Sequence, residues 1–182
     1  MTTKTEQEFL LKSARAAILN YPKIITPDLN KLSNTLKEKK GVFVTLTIND
    51  HLRGCIGSIL PVMPLYEAVI QNAVNAAYSD PRFPPLTKQE ASELTIEVSI
   101  LTDPVRLAYI DAPHLLKKLN DREGIIIKKE MLTATFLPQV WEQLPDKEQF
   151  LMNLCLKAHL SVEAWKDNNM EVYAYKVEKF GN

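Results

Sequence analysis

The chain has 182 residues, 46% of them hydrophobic and 24% charged; this length suits one domain, or two small lobes sharing a core, and buries most of its apolar surface without staples. Lys plus Arg and Asp plus Glu each number 22, so the formal charge is zero, and with no basic block beyond Lys37-Glu38-Lys39-Lys40 the electrostatic footprint of a nucleic-acid binder is missing. Two isolated cysteines and three scattered histidines make no zinc pattern, no apolar run is long enough to span a bilayer, and Met1–Glu8 is too polar for a signal peptide, so the reading is a reducing cytoplasm with no membrane contact, structural metal or cofactor.

In chain order, Glu6–Leu19 reads as a helix, with Phe9, Leu10, Ser13, Ala14, Ala17 and Ile18 on one face and Tyr21-Pro22 ending it. Asp28–Lys39 reads as a second helix that points Leu29, Leu32 and Leu36 inward and stops at Gly41. Val42–Ile48 alternates as a strand, Asn49-Asp50-His51 is a turn, and Leu52–Ile59 is the returning strand. A helix spans Leu65–Tyr78 after Pro64, and Ser79–Leu86 is a proline-stiffened loop. Leu94–Leu101 is the cleanest strand. A short helix over Pro113–Leu119, strands opening at Gly124 and over Leu132–Phe136, a helix over Asp146–Ala158 and a closing strand over Glu171–Glu178 complete the pattern. Strands and helices do not alternate regularly, so the expected class is α+β, with a largely antiparallel sheet and helices packed on it.

Side chains alternate along a strand, which puts Arg53 and Cys55 on one face and Leu52, Gly54 and Ile56 on the other. The turn length decides their neighbours. A two-residue turn pairs Ile48 with His51 and turns Arg53 toward the apolar residues Val44, Leu46 and Ile48; a three-residue turn pairs Ile48 with Leu52 and leaves Arg53 and Cys55 among Thr45 and Thr47. Burying an unpaired arginine costs several kcal/mol, so the three-residue turn is expected. Cys55 then lies about 7 Å along the strand from a permanent cation. Gly54 and Gly57 leave backbone uncovered beside it, where a ligand or another chain can approach. A neighbouring arginine makes a thiol a better nucleophile, yet cysteine is also a common small buried residue and strand glycines often mark bulges.

Leu52-Arg53-Gly54-Cys55-Ile56-Gly57 resembles the hallmark of the AMMECR domain family, whose bacterial and archaeal members are called AmmeMemoRadiSam system protein A. The resemblance extends to Gly41-Val42-Phe43-Val44-Thr45 before the motif and Asp80-Pro81-Arg82-Phe83-Pro84-Pro85-Leu86 after the next helix. It continues through Glu97-Val98-Ser99-Ile100-Leu101, Gly124-Ile125, Phe136-Leu137-Pro138-Gln139-Val140, Phe150-Leu151 and Leu154-Cys155-Leu156-Lys157-Ala158, in order over residues 6 to 178. It implies a single AMMECR domain over residues 1–182, built as a larger and a smaller lobe, with the signature lining a cleft between them. It also implies association with Memo-like and radical SAM proteins, with no biochemical activity assigned. Two departures stand out: His159 where the family has glycine, and Leu132-Thr133-Ala134-Thr135 where glycine or basic residues are usual.

Arg82, between prolines, has little entropy left to lose on binding; with Asp80 it is either part of the site near Arg53 or a surface pair beside a turn. Glu97 is a possible base, and equally a residue of a solvated sheet face. Cys155 and His159 share a helix face but two ligands make no zinc site. Two readings follow. In one, the domain is a ligand- or partner-binding module in which Arg53, Gly54, Gly57, Asp80 and Arg82 form the contact surface. In the other, it is an enzyme on a small anionic substrate, with Cys55 as thiolate, Glu97 as base, and Arg53 and Arg82 orienting the anion. The first is preferred, because no complete set of nucleophile, base and orienting group can be named.

Overall fold

A computed structural model of the chain describes residues 1–23, 27–167 and 169–182. The chain divides into two compact units, unit 1 comprising Met1–Leu101 with Glu178–Asn182 and unit 2 comprising Thr102–Val177. Each has its own four-stranded antiparallel sheet, giving the α+β class expected.

Unit 1 begins with α1 (Lys4–Asn20), entered through a capping box in which Thr3 and Glu6 satisfy each other's first-turn amides. The single helix expected over Asp28–Lys39 is instead a 3-10 turn (Leu29–Lys31) and the one-turn helix α2 (Asn34–Lys37). Leu32 is extended between them, and the Ser33 hydroxyl starts α2 by accepting from Leu36. Strands β1 (Val42–Ile48) and β2 (His51–Ser58) form the hairpin, α3 (Leu65–Tyr78) crosses behind it, and α4 (Lys88–Glu93) leads into β3 (Thr95–Leu101). In unit 2 follow β4 (Val105–Arg106), α5 (Ala112–Lys118), β5 (Gly124–Lys129), β6 (Leu132–Phe136), α6 (Val140–Gln143), α7 (Lys147–Lys157) and β7 (Glu171–Tyr175). The closing strand expected over Glu171–Glu178 is two strands. The chain breaks at Lys176, whose amide donates to Thr102 Oγ1, and resumes as β8 (Val177–Gly181) in the other sheet.

The strand orders are β2-β1-β3-β8 and β4-β7-β5-β6. In unit 1, Val44, Leu46, Ile96 and Val98 face α1 and α3, where Leu10, Ala14, Val69 and Ala73 meet them, all fully buried. Burial of each large aliphatic stabilises by about 1.5–3 kcal/mol, so this layer holds the β1–β3 face rigidly against the helices. In unit 2, Trp141 stacks on Phe150 with ring centroids 3.6 Å apart, inside a core that includes Leu115, Ile125, Ile127, Leu151 and Val172. Among the described residues no helix is long and apolar enough to cross a membrane.

Candidate functional site

The hairpin turn is not the one expected. Ile48 pairs with His51 across a two-residue turn, Asn49-Asp50, whose φ values of 49° and 63° are both in the left-handed region. That is the turn geometry matching the twist of paired strands, and Asn and Asp are the non-glycine residues that tolerate it best. The cost attached to this register, an arginine turned into the core, is avoided by a β-bulge. Leu46 pairs with Gly54 but Thr47 with Leu52, so Arg53 is the extra residue and the alternation restarts beyond it. Cys55 therefore still stands opposite Thr45, on the outer face of the sheet away from α1 and α3.

Arg53 is buried after all, at 9% exposure. Its charge is compensated: Nε and Nη2 donate to the Glu90 carboxylate at 2.8 and 3.2 Å, and Nη2 also donates to the Pro84 carbonyl at 3.0 Å. Nη1 is buried and makes no hydrogen bond to the described residues. Hydrogen bonds from Arg53 and then from the Thr87 amide hold the Glu90 carboxyl down to about 2. Thr87 and Glu90 are also the capping box of α4, so one carboxylate starts a helix and neutralises the signature arginine. The Thr87-x-x-Glu90 spacing was the available sequence signal for this missed partner.

Asp80, whose side chain is 2% exposed, is the hub of the site. Its Oδ2 accepts from the Cys55 amide at 2.8 Å and from Arg82 Nη2 at 2.7 Å, while Oδ1 accepts from the Arg82 amide and Nε. Arg82 Nη2 returns to the Cys55 carbonyl at 3.3 Å. The Arg82 guanidinium, more than burial opposes it, holds the Asp80 carboxyl far below the usual carboxylate range. Phe83 lies against both guanidiniums, its ring centroid 5.9 Å from Arg53 and 5.5 Å from Arg82. The stiff Asp80–Pro84 loop therefore brings Asp80, Arg82 and Arg53 close together, with Arg82 paired to Asp80.

The glycines do not leave the backbone uncovered. A Cβ on Gly54 would stand 2.0 Å from the Ala76 carbonyl oxygen of α3, and one on Gly57 would stand 2.4 Å from the Phe43 ring. Both positions admit close packing within the fold.

A model of the AMMECR1 family matches residues 11–180. The chain belongs to the AMMECR1 family. Protein TK0174 of Thermococcus kodakarensis is 41% identical, covering 95% of this chain and 88% of its own length. Protein MJ0810 of Methanocaldococcus jannaschii is 38% identical, with 99% and 92% covered. The crystal structure of the uncharacterized protein PH0010 of Pyrococcus horikoshii superposes with a TM-score of 0.84 at 38% identity, over 96% of this chain and 90% of that one.

In this AMMECR1 chain the Cys55 thiol is half-buried, and its sulfur accepts from the Thr45 hydroxyl at 3.3 Å. Glu97 stands across Thr45 on β3, two strands from Cys55, and pairs with Lys179 at 2.8 Å. Two strand spacings put it about 10 Å from Cys55, beyond the reach of direct proton transfer. The outer face thus presents Leu52, Cys55, Thr45, Thr47, Glu97 and Lys179, with Ser99 on the same face but buried. Cys155 lies outside this group, fully buried in unit 2, where burial pushes its thiol up.

Proposed function

We propose that this AMMECR1 chain is a ligand- or partner-binding domain working with Memo-like and radical SAM proteins, and that its contact surface is the outer face of the first sheet around Cys55. The observation that carries this reading is charge balance. Arg53 is matched by Glu90, Arg82 by Asp80 and Lys179 by Glu97. The cations that an anionic substrate needs are committed to carboxylates before any ligand arrives.

What remains on the face is a half-buried thiol, threonine hydroxyls and the apolar Leu52, 43% exposed. Such a mixed patch, its charges already paired, suits contact with another protein better than capture of a small anion. The enzyme reading draws on one feature, the Thr45 hydroxyl donated to the Cys55 sulfur, but among the described residues no base is hydrogen-bonded to that sulfur.

The test is co-purification of the tagged chain with a Memo-like and a radical SAM protein, comparing wild type with Leu52→Glu and Thr47→Lys. Both changes sit on the outer face and leave the core intact, so capture should fall in both. Equal capture by all three would remove this face as the contact surface. Iodoacetamide labelling of Cys55 faster than that of a free thiol at neutral pH would favour the enzyme instead.

A further inference from the structure

Strand β2 is the end strand of its sheet, so the main-chain groups on its far side have no neighbouring strand. Such an edge is a template for pairing with another chain, and proteins blunt it with charged side chains, bulges or a covering loop. The Cys55 amide and carbonyl both point to this free side, because they meet Asp80 and Arg82 and not β1. Two residues on, Gly57 has the same orientation by the alternation of an antiparallel ladder.

The chemistry of the Asp80–Arg82 pair matches that of a missing strand. A carboxylate oxygen accepts a hydrogen bond from the Cys55 N–H and a guanidinium donates one to the Cys55 C=O, the two bonds a neighbouring peptide would make. The loop carrying them is itself tied down, with Asp80 4% exposed, the Phe83 amide bonded to Asp80, and the Leu86 amide bonded to Ala77. Beyond this pair and the bulge at Arg53, no described residue of β2 repels a second strand. Of His51–Ser58 only Arg53 carries a full charge, and Glu90 neutralises it.

We infer that the Asp80–Arg82 pair guards the β2 edge against a second copy of this chain, and that without it two β2 strands pair antiparallel about a two-fold axis at Cys55. A two-fold contact uses the same surface on both copies, so this strand needs no complementary one. A residue on the axis that turns both main-chain groups outward forms a hydrogen-bonded pair with its own copy, and Cys55 is such a residue. Residues 56–58 of β2 supply the ladder on one side of it, and residues 51–54, with their bulge, on the other. The inference goes beyond the binding proposal and stands whether or not that proposal holds.

The geometry supplies its own reporter. In the paired dimer the two Cys55 residues face each other as a hydrogen-bonded pair, with Cα atoms about 5.5 Å apart, inside the range a disulfide spans. Oxidised glutathione would then join the two thiols, one Cys55–Cys55 bond forming as two glutathione thiols are released.

The experiment compares full-length wild type with Asp80→Ala/Arg82→Ala, which removes both charges together and strands neither. Sedimentation velocity over a hundredfold concentration range should show the wild type monomeric and the variant doubling in mass. Glutathione-treated variant should give a dimer on a non-reducing gel that is absent from the wild type and from the variant carrying Cys55→Ser. A variant that keeps the wild-type circular dichroism spectrum and stays monomeric overturns the inference, as does a wild type that already dimerises. Should the variant not fold, amide exchange by NMR on the wild type decides. The guard requires a protected Cys55 amide, and exchange at the rate of an open amide overturns it.

Discussion

Replacing Asp80 by asparagine is the sharpest probe of the site, because shape is kept and only the charge and one acceptor change. The carboxylate accepts four hydrogen bonds, from the Cys55 amide, the Arg82 amide, Arg82 Nε and Arg82 Nη2. An amide group accepts at one end only. Placed with nitrogen at the Oδ2 position it meets the Cys55 N–H and Arg82 Nη2; turned over, it meets the Arg82 N–H and Nε. Either way two bonds are lost and donors face donors. Each buried donor left unpaired costs roughly 1–3 kcal/mol. Arg82 is 54% exposed and can turn to water, which discounts its share, so the expected loss is about 2–4 kcal/mol.

Urea denaturation by far-UV circular dichroism measures this loss. Both tryptophans, Trp141 and Trp165, lie in unit 2 and Asp80 in unit 1, so fluorescence follows unit 2 while circular dichroism follows both units. The pH dependence is a second check. The Asp80 carboxyl is held below its ordinary value by Arg82. Its stabilisation is thus fully present above the unfolded pKa of about 3.9 and is lost as pH falls toward the folded value. The gap between wild type and Asp80→Asn should stay constant from neutral pH to about pH 5 and close below about pH 4. A loss under about 0.5 kcal/mol at neutral pH, the scatter of ordinary surface changes, would refute the idea that this carboxylate organises the site.

Three further changes follow from the same geometry. His159, just beyond α7, has φ 59°. His159→Gly should relieve about 1–2 kcal/mol of left-handed strain against about 0.5–1 of added unfolded-state entropy, raising the urea midpoint slightly; a lower midpoint would contradict this. Gly54→Ala drives a Cβ to 2.0 Å from the Ala76 carbonyl oxygen of a buried helix; a loss of about 3 kcal/mol or more is expected, read by thermal melting, and a near-neutral variant would mean α3 can shift. Burial pushes the Tyr175 hydroxyl up to about 12, so stability from this group is complete below the unfolded value of about 10 and declines as pH rises toward the folded one. Absorbance titration of wild type against Tyr175→Phe should find one late-ionising tyrosine missing from the variant.

The local signals that carried most of the fold were those with strong short-range physics. The strand Val42–Ile48 and the helix Leu65–Tyr78 were legible to the residue, from strict alternation and from a proline at the helix entrance. What the sequence did not reveal depends on tertiary partners. Glu90 lies 37 residues from Arg53, and no local pattern says that an arginine on a strand will be buried against it. An unpaired buried arginine is costly, and the chain avoids that cost with a partner and a bulge instead of choosing the other turn. Similarly, the alternation of Val172 and Ala174 in Glu171–Glu178 gives way to Lys176 and then Val177, a shift of phase too small to announce a strand end, and only the crossing at Lys176 reveals two strands in two sheets.

The signature itself can be divided by what each side chain touches. Arg53 is held by Glu90 and Pro84, Gly54 lies under Ala76, Ile56 packs against the unit 1 core, and Gly57 lies under Phe43. These four residues have packing reasons to be what they are, with no ligand required. Leu52 and Cys55 do not. Leu52 is 43% exposed on the outer face, and Cys55 keeps a half-buried thiol there while its main chain is gripped by Asp80 and Arg82. A thiol held at a rigid backbone position has little positional entropy left to lose when something docks against it. The motif is thus mostly a device for bending, covering and fixing one edge strand, and the part of it left to meet another molecule is a single sulfur with a leucine beside it.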